Sequence, residues 1–146
     1  MSNIDKYAKV KELLQNYEII KISIANIEKE IEYIKEDIAI RGISYDGVST
    51  SPTNEIKSIV ESTILAKEEK INYLQHLIKR HQININKIDD VLNNLTETER
   101  TIIIDRYMHH KYWYQITPKV FLEERQCRRK LKSAMDKMII GVIDTK

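Results

Sequence analysis

Between Arg125 and Lys137 six basic side chains (Arg125, Arg128, Arg129, Lys130, Lys132 and Lys137) share a short segment with one acid, Asp136. Guanidinium and ammonium groups at this density suit a polyanion, because each can hold a phosphate oxygen by a charge-assisted hydrogen bond. On a helix, turning about 100° per residue, Cys127, Leu131, Ala134, Met135 and Met138 fall on one side. Arg125, Arg129 and Lys132 then fall on the opposite side, with Gln126 and Ser133 beside them and Arg128 and Lys130 on the flanks. A helix so divided buries one stripe on its own domain and offers Arg, Gln and Ser to base edges and Lys and Arg to phosphates. The candidate DNA-binding set is Glu124, Arg125, Gln126, Arg128, Arg129, Lys130, Lys132 and Ser133, with Lys111 and Lys119 from the preceding segment. On charge alone, a solvated helix face is the plainer reading.

Other reactive side chains point to less. His81 has no Cys, His or Asp at ligand spacing, and the adjacent His109 and His110 would diverge on a helix, so they read as a turn, near phosphate if DNA lies there. Cys127, on the inward stripe, reads as a small apolar core residue and not a nucleophile. With no glycine-rich phosphate loop and with acids scattered over helix faces, neither an enzyme, a metal site nor a cofactor is expected.

The elements that hold the basic segment should all be helices. The 146 residues include only three Gly and two Pro, with 32% charged and 42% apolar residues. Net charge is divided unevenly: residues 1–96 carry 13 Lys/Arg against 15 Asp/Glu, a net of −2, and residues 97–146 carry 11 against 7, a net of +4. Apolar residues step by three and four through Val10, Leu13, Tyr17, Ile20, Ile24, Ile27, Ile31, Ile34 and Ile38. A second series runs through Val60, Ile64, Lys67, Ile71, Leu74, Ile78, His81, Ile85, Ile88, Leu92 and Leu95. Such 3.5-residue seams demand a helical partner, with Lys67 and His81 as register devices or solvent-facing exceptions.

Between the seams, Arg41–Pro52 has the composition of a linker, and Ser51 followed by Pro52 suggests a capped helix start. The expected architecture is all-α: a long antiparallel helical hairpin, or coiled-coil-like stalk, over residues 1–83 with linker 41–52, then a small helix-turn-helix head over 84–146. A bend is expected near His81–Asn86, where Asn84 or Asn86 would cap a new helix. Thr96 should cap the next helix, with Glu99 reaching back, and Ile102, Ile103, Ile104 and Tyr107 form its apolar side. Trp113, Ile116, Val120 and Phe121 continue an apolar face in the following element, Trp113 as a core wedge.

These residues resemble a known family. The run Leu92, Leu95-Thr96-Glu97, Glu99-Arg100, Ile103, Arg106-Tyr107, then Trp113 and Ile116, then Glu124-Arg125-Gln126-Cys127, Arg129 and Leu131 is similar to the helix-turn-helix of sigma-factor region 4. It is closer still to phage regulators of the ArpU and RinA kind, which also tend to carry an upstream helical region and a linker like Ile43-Ser44-Tyr45-Asp46-Gly47-Val48. The resemblance covers the last 55 or so residues well. It implies that Trp113–Phe121 supports and Glu123–Lys137 recognises. Two features depart from the pattern. Pro118 falls within the supporting helix, acceptable if Thr117 caps a fresh start, and Glu123 replaces the usual Ser, with no glycine at the turn.

The resemblance implies a sequence-specific, double-stranded-DNA-binding transcriptional regulator of phage or prophage genes. Alternatives are a small terminase-like DNA-packaging subunit and a helical adaptor without nucleic acid. Expected partners are DNA, RNA polymerase as a further candidate, and copies of the chain itself through the stalk, the alternative being a monomeric hairpin packed on its own head. No apolar run reaches the ~18 residues of a membrane span, no signal-peptide core is present, and a single cysteine suits a reducing compartment, so a cytoplasmic protein of a bacterial host is expected.

Overall fold

A computed structural model describes residues 1–46 and 54–144, and among them every regular element is helical. The order is α1 (Asn3–Gln15), α2 (Tyr17–Asp46), α3 (Asn54–Asn94), α4 (Glu97–Ile103) with a π-helical turn Ile104–Met108, α5 (Trp113–Val120), and α6 (Glu124–Met138) with a second π-helical turn Ile139–Ile143. The fold is all-α, as expected. No helix among the described residues is long and apolar enough to cross a membrane. The expected start at Ser51 and Pro52 lies outside the described residues.

The chain divides into two compact units, Ile22–His81 and the union of Met1–Lys21 with Gln82–Lys146. In the first, Ile31 and Ile34 of α2 pack with Ile71 and Leu74 of α3, flanked by Ile27, Ile38 and Ile78. The two helices run antiparallel here, and within this unit the two seams pack on each other. Lys67, the polar member of its seam, is bonded to Asp37 of α2, so it satisfies its charge at the edge of the seam instead of facing away.

In the second unit the core is tighter: the largest side chains left with under 2% exposure, among them Val10, Leu14, Ile88, Ile102, Ile103, Ile116, Met135 and Met138, all belong to it. Burial of each such side chain contributes roughly 1.5–3 kcal/mol, which fixes α1 and the end of α3 against the C-terminal helices. Tyr7 and Tyr107 hydroxyls meet at 2.7 Å, Tyr17 donates to Asp89 at 2.6 Å, and Lys6 pairs with Asp144 at 2.8 Å. Burial, then the Asp89 hydrogen bond, push the Tyr17 hydroxyl up to about 12.

Three expectations on boundaries are corrected. The first 21 residues belong with the C-terminal helices and not with the hairpin expected over 1–83, because Val10, Leu13 and Leu14 bury their side chains there. The expected linker at 41–52 begins too early, since α2 continues through Gly42 to Asp46; one glycine in a helix costs only about 1 kcal/mol. No helix starts at Asn84 or Asn86: α3 is unbroken from Asn54 to Asn94, because burying Ile85 and Ile88 outweighs the weak propensity of the asparagines around them.

Candidate nucleic-acid interface

Helix α4 begins at Thr96, whose hydroxyl accepts from the Glu99 backbone N–H at 3.2 Å and donates to the Glu99 carboxylate at 2.9 Å. The carboxylate therefore reaches the capping hydroxyl. Glu99 is itself buried and also receives Lys137 Nζ at 2.9 Å and Ser133 Oγ at 3.5 Å, both from α6. Burial would raise its pKa, but the hydrogen bonds from Lys137 and Thr96 prevail and hold it below the usual value. This carboxylate ties the start of α4 to the C-terminal half of the basic helix.

The chain leaves the π turn at His109 and His110, the latter in the left-handed region at φ 56°, so the expected turn is present. Arg106 donates to the Lys111 carbonyl at 3.0 Å across it. Helix α5 then carries Trp113 and Ile116 inward, and Trp113 is the core wedge that was expected. Its ring lies 4.8 Å from the Arg106 guanidinium and 5.4 Å from that of Arg128, so a core aromatic anchors one cation of α6. Pro118 sits inside α5 without a fresh start at Thr117; the helix ends two residues later, so few intrahelical bonds are left to lose.

Phe121 corrects a further expectation. It does not continue the apolar face of Trp113 and Ile116 but ends α5 in the left-handed conformation (φ 56°, ψ 39°) with 92% of its surface exposed. That conformation turns the chain into α6 where a glycine would otherwise serve. Glu123 then caps α6 in a box with Gln126, whose side chain accepts from the Glu123 N–H at 3.3 Å. Glu123 thus stands at the N-cap where the resemblance puts serine, with the Gln126 side chain closing back on its N–H.

Helix α6 buries Cys127, Leu131, Ala134, Met135 and Met138, the stripe read from the sequence. Burial, then the charge of Glu124, push the Cys127 thiol up, away from nucleophilic use. On the other side Arg125, Arg128, Arg129, Lys130 and Lys132 are all exposed. Arg128 pairs with Glu124 at 3.3 Å. Among the described residues Arg125, Arg129, Lys130 and Lys132 have no ion-pair partner within 4.0 Å. Glu124, Arg125, Arg128, Arg129 and Lys132 border one open depression of about 480 Å³.

The remaining candidates are placed differently. Lys111 and Lys119 converge on the buried Asp105, at 3.6 and 3.0 Å, with His109 Nδ1 at 3.7 Å from the same carboxylate. The neighbouring ammonium of Lys119 lowers Lys111, while Lys119, beside Lys111 and hydrogen-bonded to Asp105, is raised. Ser133 turns toward Glu99, and Gln126 is engaged in its cap. The sequence reading did not single out Asp105, Glu99 or Arg106 for these roles. An acid directly after the apolar run Ile102–Ile104, as Asp105 is, was the available signal for a buried anion.

Among the described residues no three His, Cys, Asp or Glu side chains group as a metal would require. No curated protein and no solved structure matches the chain. A family model described as "Protein of unknown function (DUF722)" matches residues 6–139, and the chain belongs to that family.

Proposed function

We propose that this chain is a sequence-specific DNA-binding transcriptional regulator whose reading head is α6, presented by α5 and the turn at Phe121 in the manner of a helix-turn-helix. The observation that carries the reading is the division of α6: one stripe buried, and on the other side four cations with no ion-pair partner among the described residues. The resemblance to sigma region 4 and to ArpU- and RinA-like phage regulators supports the same assignment and suggests phage promoters in a bacterial cytoplasm as the target and RNA polymerase as a partner. Arg125, Arg129 and Lys132 face the duplex. Arg128, held by Trp113 and Glu124, is the more rigid contact. Lys111 and Lys119, gathered round Asp105 with His109 beside them, supply a weaker positive edge to a flanking phosphate.

The test is binding to genomic DNA fragments across a salt series. Each phosphate contact removed flattens the slope of log K against log salt by about 0.9. The triple substitution Arg125→Ala, Arg129→Ala, Lys132→Ala should therefore flatten it by about 2 to 3 if most of these residues touch phosphate. An unchanged slope and affinity would remove α6 from the interface. Mapping the bound sites in the host separates regulation, with sites at promoters, from packaging, with sites at a packaging origin.

A further inference from the structure

In the Ile22–His81 unit the paired seams leave a second apolar stripe uncovered. With Ile31 and Ile71 as the first positions of their heptads, Tyr33 and Ile40 of α2 and Ile59, Ala66 and Tyr73 of α3 all occupy the third position. Tyr33, Ile40, Ile59 and Tyr73 are each about two-thirds exposed. Among the described residues, the large apolar side chains exposed in this unit off the stripe are Ile22 and Leu65. Antiparallel pairing brings the third and seventh heptad positions of both helices to one side of the pair, and the ion pair between Glu30 and Lys70, both at seventh positions, marks that side. The other side, by contrast, presents Glu28, Lys35, Glu61, Glu68 and Gln75.

We propose that a second copy of this chain covers the stripe, forming a four-helix dimer. Three features select a copy over another occupant. The stripe repeats every seven residues on both helices, so it fits a helical surface of the same period. The four large side chains expose together roughly 600 Å², close to the ~800 Å² per partner that a stable dimer buries. The charges between the ridges are self-complementary: α2 contributes the acids Glu30 and Asp37, and α3 the bases Lys67 and Lys70. A two-fold axis parallel to the helices lays α2 of one copy over α3 of the other, so that Tyr33 meets the other copy's Tyr73 and the acids face the bases. The dimer would carry two basic helices, as a palindromic site requires, and so deepens the expectation of self-association while resting on the observed pairing alone.

Sedimentation equilibrium of the full chain at tens of micromolar, without DNA, tests it. The wild type should be dimeric and Tyr33→Glu/Tyr73→Glu monomeric with an unchanged far-ultraviolet circular dichroism spectrum. A monomeric wild type, a larger ring, or a variant that stays dimeric overturns the proposal. Should the glutamates unfold the pair, Tyr33→Cys/Tyr73→Cys decides: mild oxidation should give a covalent dimer on a non-reducing gel, whereas Leu65→Cys should not. Absence of that covalent dimer, or equal cross-linking through Leu65→Cys, also overturns it. Since neither readout involves DNA, failure of the DNA-binding reading leaves this inference standing.

Discussion

Replacing Glu99 by Gln removes one negative charge from a buried position and little else, because the two side chains have nearly the same shape. The carboxylate accepts from Thr96 Oγ1 and Lys137 Nζ, both at 2.9 Å, and from Ser133 at 3.5 Å. Hydrogen bonds to a charged group contribute about 1.5–3 kcal/mol each, but Lys137 is half exposed and recovers hydration when released, so its share is discounted. Glu99 also sits in the first turn of α4, where a negative charge gains about 0.3–1 kcal/mol from the helix dipole. The expected loss at neutral pH is about 2 kcal/mol, or about 4–8 °C in Tm for a chain of this size.

The pH dependence separates this cause from simple misfit. Glu99 is held below its ordinary value of 4.5, so its contribution is fully present above that value and is lost as pH falls through the lower, folded-state value. Urea melts of wild type and Glu99→Gln, followed by circular dichroism at neutral pH and at a pH well below 4.5, should show a gap that closes on acidification, because the protonated glutamic acid then resembles the amide. A gap of equal size at both pH values would mean that the amide disrupts packing and that the charge contributes nothing. No gap at neutral pH would refute the clamp altogether.

Two other substitutions probe backbone and packing. Phe121→Gly should stabilise the chain by about 0.5–1 kcal/mol in thermal melts, since Phe121 is 92% exposed and adopts a left-handed conformation that glycine accepts freely; if it weakens DNA binding while raising Tm, the exposed ring is a contact. Gly141→Ala would set a Cβ 2.2 Å from Val91 Cγ2, and a β-branched valine has little freedom to turn aside. A loss of about 1–2 kcal/mol is expected, after the gain in helix propensity, with Val91→Ala recovering most of it in the double variant. Purely additive effects would show that the two side chains do not meet.

What could be read from the sequence was what repeats. Steps of three and four placed Ile31 and Ile34 in one seam, Ile71 and Leu74 in another, and Cys127, Leu131, Ala134, Met135 and Met138 in one stripe, because burial obeys the helical period directly. Boundaries were harder. Gly42 and the asparagines near Ile85 signal interruption at a level of about 1 kcal/mol or less, which the burial of a single isoleucine overrides. Least legible were contacts between residues far apart in the chain. Nothing local in Val10 and Leu13 says that they leave the first seam for the C-terminal helices, and nothing local in Lys111 or Lys119 says that Asp105 waits for both.

Those long-range contacts bear on how the candidate interface is charged. The two buried acids of the head are committed inward, Asp105 to Lys111 and Lys119 and Glu99 to Lys137. The cations they neutralise lie away from the outer face of α6. Among the described residues Arg128 alone is paired on that face, and Arg125 with Arg129, like Arg128 with Lys132, set like charges one turn apart. Each such pair destabilises an isolated helix by about 0.2–0.5 kcal/mol, and a glutamate at any of these exposed positions would relieve it, as Glu124 does for Arg128. If α6 is the reading head proposed for it, a polyanion compensates this repulsion. An anion with regularly spaced charges meets several such cations at once, and a duplex, whose phosphates follow the groove into which a helix fits, has that spacing.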